Sequence, residues 1–133
     1  MSTPVKHHSP GFLALAEDAK KRVREIGIEQ YKRLRELGEA GQLVDVREDN
    51  EWQTAHAAGA IHLSKGVIER DIETTIPDKN AKLVLYCGGG FRSALATDNL
   101  QKMGYKNVIS LDGGWRAIEA SELPLEKGEP ERR

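Results

Sequence analysis

Two spacings of apolar residues take turns along this chain. Over 12–22, Leu13, Ala16 and Lys20 step by three or four, the period of a helix. Val23 to Ile26 reads as a short strand. From Ile28 to Leu37 the helical pattern returns, with Tyr31, Leu34 and Leu37 on one face and Lys32, Arg33, Arg35 and Glu36 on the other. Gly38 and Gly41 end that segment. Leu43 to Val46 is an apolar run broken by Asp45, Asn50 to Ala57 suits a short helix, and Ala60 to Leu63 an extended piece. Val67 to Ile72 suits a turn or two of helix, and Pro77-Asp78 a turn. Lys82 to Tyr86 is the clearest strand, continuous and apolar as a central parallel strand covered on both faces would be. After three glycines, Ser93 to Met103 places Ala96, Leu100 and Met103 on one face and closes at Gly104. Asn107 to Leu111 is a last strand, and Gly113-Gly114 leads into a helix through Trp115 and Ile118.

Strands therefore alternate with helices. That order predicts a single α/β domain with a mainly parallel sheet and right-handed crossovers. Its expected extent is 23–125, preceded by the helix over 12–22. Residues 1–11 and 126–133, rich in Pro, Ser, Gly and charge, read as loose tails. Ligands of such sheets sit at the carboxyl ends of the strands. Cys87 follows the strongest strand directly.

Composition narrows the classes. The 133 residues suit one domain, and a net charge of -1 offers no basic excess for nucleic acid or membrane. No stretch has the length of a membrane span or the form of a secretory leader. With 1 cysteine there is no internal disulfide, and a reducing cytoplasm is the expected compartment. His7 and His8 are adjacent, but two histidines without further ligands read as solvated tail residues, so no metal and no cofactor are expected.

The informative stretch is Cys87-Gly88-Gly89-Gly90-Phe91-Arg92-Ser93. A cysteine that ends an apolar strand is in many proteins plain core. The glycines change that weighting, because a simple strand-to-helix turn needs only one of them and each loses conformational entropy on folding. Together they let backbone N–H groups converge on one spot as an anion nest. The start of the next helix adds its positive end and Arg92 a permanent cation. Such a setting favours the thiolate and would equally hold a persulfide anion. A thiol protease would need a positioned histidine base, and neither His56 nor His62 has a recognisable context. A metal or redox site would need more cysteines. Phosphoryl transfer is the serious rival, since a nest around a thiolate also suits a phosphate ester.

With these residues in hand, the chain from about Val23 to Leu125 resembles the rhodanese-like superfamily. The resemblance rests on Leu43-Val44-Asp45-Val46-Arg47-Glu48 followed by Glu51-Trp52, on His56 before Gly59-Ala60-Ile61, and on the loop Cys87 to Arg92 with Ser93. Gly104-Tyr105 before Asn107-Val108, and Leu111-Asp112-Gly113-Gly114-Trp115, complete it. It implies a five-stranded parallel sheet flanked by helices. It also implies a single-domain thiosulfate sulfurtransferase, in which Cys87 takes sulfane sulfur from thiosulfate, releases sulfite and passes the sulfur to cyanide or a thiol. Gly88, Gly89, Gly90, Phe91, Arg92 and Ser93 then line the substrate site. Four residues separate Cys87 from Arg92, as in the sulfurtransferases of this family; related cysteine phosphatases place five there, a wider ring for a tetrahedral phosphate. Many thiosulfate-using members carry basic side chains just after the cysteine, where this chain has Gly88 and Gly89. That departure admits a protein-bound or smaller persulfide as donor.

By the same analogy Asp45 and Arg47 brace the region beneath the loop, with Glu51 available to Arg47. His56 reads as a structural residue, and Trp52 and Trp115 as packing. The expected function is sulfur transfer through a Cys87 persulfide. The alternatives are a sulfur carrier that hands the persulfide between partner proteins and, third, a small cysteine phosphatase.

Overall fold

The computed structural model describes residues 8–128. In chain order its elements are α1 (Pro10–Lys20), β1 (Arg24–Ile26), α2 (Ile28–Glu36), β2 (Gln42–Asp45), α3 (Asp49–Thr54), β3 (His56–Ala57) and β4 (Ile61–His62). Then come α4 (Ile68–Thr75), β5 (Lys82–Tyr86), α5 (Phe91–Lys102), β6 (Asn107–Leu111), α6 (Gly114–Ala120) and β7 (Leu125–Glu126). Five strands form one sheet in the order β1-β6-β5-β2-β4, every neighbouring pair parallel. This is the expected α/β architecture.

The continuous apolar run of β5 has a simple cause. Leu83 and Leu85 enter one apolar layer, with Ile68 and Ile72 of α4 and Leu100 of α5. Val84 and Tyr86 enter the other, with Tyr31 of α2 and Ile118 of α6. Both faces are covered, so all four side chains are buried. Val84 pairs with Ile109 on one side and Leu43 on the other, which fixes the strand at the centre.

Helix α1 forms a further layer outside α5. Its Ala16 and Ala19 are buried, and such small side chains allow the two helices to approach closely. Just beyond α1, the Arg22 guanidinium donates twice to the Asp98 carboxylate of α5, at 3.1 and 2.8 Å. That pairing holds Asp98 below the usual carboxylate range and raises Arg22.

Several boundaries differ from those read in the sequence. Helix α1 starts at Pro10, inside the expected tail, because proline fits the first helical turn, where its missing N–H is not needed. His7 lies outside the described residues. The helix expected through Ala57 stops at Thr54, and His56–Ala57 instead pair antiparallel with Leu125–Glu126. Glu126 is therefore part of a strand, not of a loose tail. Helix α5 begins at Phe91, two residues before the expected start, and α4 runs on to Thr75.

Candidate active site

Strand β5 delivers Cys87 to the carboxyl end of the sheet. The two-residue alternation that sends Leu83 and Leu85 toward α4 and α5 continues to Cys87. The chain then turns through Gly90, whose φ of 104° favours glycine, and enters α5. At this turn the Gly90 N–H donates to Cys87 Sγ at 3.1 Å. The loop's carbonyls are engaged elsewhere. Trp115 N–H donates to the Cys87 carbonyl at 2.6 Å and Arg116 N–H to that of Gly88 at 3.3 Å, so the first turn of α6 grips the loop from behind. Only glycine permits this approach. Gly114 has φ 47°, and a Cβ built on it would overlap the Cys87 carbonyl oxygen and lie 3.0 Å from that of Gly88.

The nest expectation implies a sulfur open to solvent. In the structure Cys87 is only 1% exposed, and this corrects that expectation. The strand's alternation carries the side chain into the apolar layer, and Ser93 Oγ stands 3.5 Å from the sulfur. Gly88 and Gly89, next along the chain, are part-exposed. A Cβ on Gly89 would meet nothing within 4 Å, and one on Gly88 only Arg92 Nη2 at 3.2 Å. Phe91 faces α1, with its ring 4.9 Å from that of His8, 6.2 Å from that of Phe12, and under Lys20 Nζ at 4.6 Å.

Arg92 is not a free cation. Its Nη1 and Nη2 donate to the Glu51 carboxylate at 3.0 and 3.4 Å. Burial alone would lower the Arg92 pKa, but the Glu51 carboxylate outweighs it and raises it. Burial alone would raise Glu51; Arg92 and the Glu48 N–H, which donates to the same carboxylate, hold it below the usual range. Glu51 reaches this place through the capping box that opens α3. The expectation that Glu51 serves Arg47 is thus corrected: its hydrogen-bonded guanidinium is Arg92.

Arg47 and Asp45 form a buried pair of their own. The guanidinium donates to Asp45 at 2.8 to 3.1 Å and to the Ala55 carbonyl at 2.7 Å, and its carbon lies 4.3 Å from the Trp115 ring centre. Tyr86 Oη donates to Asp45 at 2.6 Å and accepts from Ala57 N–H at 3.1 Å; burial and that carboxylate push its pKa far up. The pair joins β2, β3, β5 and α6 beneath the loop without touching the sulfur. His56 is buried, with Nδ1 3.0 Å from the Trp52 carbonyl oxygen, Nε2 3.1 Å from Glu126, and its ring stacked on Trp52. Both nitrogens face scaffold groups.

The residues brought to the sulfur are therefore Gly90 and Ser93, with Gly88, Gly89 and the Arg92–Glu51 pair at the rim. Sequence reasoning missed three contributors. Glu51 was read with the wrong partner. Gly114 was read as a helix start, although two adjacent glycines before a helix signal a close approach. Ser110, whose hydroxyl lies 2.8 Å from that of Ser93, had no signal at all. Among the described residues no group of three His, Cys, Asp or Glu could hold a metal, and no helix is long and apolar enough to cross a membrane.

Comparison with known proteins adds to this geometry. A family model for the Rhodanese-like domain matches residues 28–121. Thiosulfate sulfurtransferase PspE of Escherichia coli is 36% identical over 85 residues, covering 64% of this chain and 78% of that protein. The Bacillus subtilis protein named "Putative sulfur carrier protein YrkF" is 31% identical over 94 residues, covering 71% of this chain but only 50% of its own length. Among solved structures, a Rhodopseudomonas palustris protein of unknown function, described as a possible tyrosine phosphatase, superposes with TM-score 0.79 at 26% identity, covering 93% of this chain and all of that one.

Proposed function

Because the chain belongs to the Rhodanese-like domain family, we propose that it is a sulfurtransferase carrying sulfane sulfur as a persulfide on Cys87. The Cys87 thiolate attacks the sulfane sulfur of the donor; a new S–S bond forms, the donor's own bond to that sulfur breaks, and the leaving group departs with the electron pair. From thiosulfate the leaving group is sulfite, and from a persulfide it is a thiolate. A thiol or cyanide acceptor then takes the outer sulfur and returns the Cys87 thiolate. The observation that carries this reading is the Gly90 N–H on Cys87 Sγ at 3.1 Å, at the head of a four-residue spacing to Arg92. An amide donor placed there favours the anionic sulfur before and after loading.

Relatives include both a thiosulfate sulfurtransferase and a putative sulfur carrier, so the donor must come from the site itself. Gly88 and Gly89 bring no charge, and Glu51 already neutralises Arg92. A thiosulfate dianion would meet no net positive charge there. A persulfide of a small thiol or of a relay protein, with one negative charge or less, fits better. A reducing cytoplasm would keep this lone thiol available. Nucleic acid and membrane have no role in this reading.

Intact mass decides it. After treatment with a small-molecule persulfide the chain gains one sulfur atom, about 32 Da, which cyanide removes and Cys87→Ser abolishes. No gain from thiosulfate or from any persulfide would end the transferase reading. Hydrolysis of an aryl phosphate that disappears in Cys87→Ser would turn the assignment toward the phosphatase suggested for the R. palustris protein.

A further inference from the structure

A short line of hydroxyls leads from the sulfur toward β6. Ser93, in the first turn of α5, stands 3.5 Å from Cys87 Sγ. Ser110, in β6 beside Leu85 of β5, places its Oγ 2.8 Å from Ser93 Oγ. Both serines are 0% exposed. Among the described residues Ser93 is the partner of the Ser110 hydroxyl, and Ser110 touches nothing of the loop by hydrogen bond.

Counting protons gives this line a direction. It holds two hydroxyl protons and one sulfur. If Ser110 donates to Ser93, Ser93 is free to donate to the sulfur, and every proton has an acceptor. If instead Ser93 donates to Ser110, the Ser110 proton is left buried without an acceptor, the orphan donor that folded proteins avoid. The satisfied order is strongest when the sulfur is anionic, because a charged acceptor roughly doubles a hydrogen bond. We propose that Ser110 is a positioning residue for sulfur chemistry at Cys87: it accepts nothing itself and commits the Ser93 proton to the sulfur. The proposal rests on the reading of Cys87 as the nucleophile and adds a group that acts on it only through Ser93.

The test is alkylation of the full chain by iodoacetamide across pH, followed by intact mass. This readout needs a reactive thiol but no sulfur donor, so its outcome is separate from that of sulfur loading. At neutral pH the rate should fall about tenfold in Ser93→Ala and about threefold in Ser110→Ala, with both profiles moved to higher pH. The double variant should be no slower than Ser93→Ala alone, because Ser110 has no other route to the sulfur. Thr97, one turn further along α5, is a control: its buried hydroxyl has no hydrogen-bond partner among the described residues, and Thr97→Val should leave the profile in place. Thermal melts of each variant confirm that it is folded. The proposal is overturned by a Ser110→Ala profile that coincides with wild type, by a double variant slowed by the product of the two single effects, by Thr97→Val moving the profile as far as Ser110→Ala, or by a wild-type thiol that does not alkylate.

Discussion

Replacing Gly114 with alanine tests the packing that shapes the loop. Two effects act together. The backbone sits at φ 47°, where an L side chain costs about 1–2 kcal/mol. The added Cβ would also overlap the Cys87 carbonyl oxygen, a backbone atom that no rotamer change can move. Forcing atoms into such a packed contact costs about 1–3 kcal/mol. Against these, alanine restricts the unfolded chain and returns about 0.4–1 kcal/mol. The net expectation is a loss of about 1–5 kcal/mol, set against a total stability of about 5–15 kcal/mol. Gly59→Ala separates the two effects, since Gly59 has φ 84° but nothing within 4 Å of its Cβ position. It should lose only the conformational part, about 1 kcal/mol. Urea denaturation followed by circular dichroism measures both, and sulfur loading of Cys87 at low urea reports the loop. The strain should also slow loading in Gly114→Ala, because relief requires the loop or the start of α6 to move. If Gly114→Ala proves no less stable than Gly59→Ala and loads sulfur normally, the grip of α6 on the loop is not what shapes the site.

Two further outcomes follow from the charged pairs. Glu51→Gln keeps the shape of the side chain and removes its charge, so Arg92 becomes a net cation at the rim; KM for thiosulfate should fall several-fold with little change in kcat, as steady-state kinetics would show. Asp98 is held below the usual carboxylate range by Arg22, so its contribution is present above the unfolded value of 3.8 and is lost as pH falls through the lower folded one. Hydrogen exchange of α1 should therefore accelerate in acid below about pH 4 relative to the sheet, and Asp98→Asn should show the faster exchange already at neutral pH.

The parts of this fold that were legible are those whose cause is local. Lys82 to Tyr86 and Asn107 to Leu111 matched their strands to the residue, because strands covered on both faces read as short, mostly apolar runs once past an exposed first residue. The place of Cys87 followed from that strand and its glycines. Other features depend on meetings that no local pattern encodes. The strand at Leu125–Glu126 exists because His56–Ala57, far back in the chain, offers a partner. Glu51 stands within a few residues of Arg47 in sequence, yet the start of α3 turns it to Arg92. Ser110 is a polar residue between Ile109 and Leu111, and its meaning comes only from the hydroxyl opposite. The burial of the sulfur was open to inference: the same alternation that buried Leu83 and Leu85 pointed Cys87 inward.

The docking of α1 on α5 has a mechanical consequence. Phe91, in the segment that leads from the buried Cys87 into α5, is clasped by the Phe12 ring and the Lys20 ammonium of the first helix and by the His8 ring just before it. Any displacement of Phe91 therefore tugs on the front of the polypeptide. A handle, neighbouring domain or binding protein attached there would share that lever on the loop that carries Cys87.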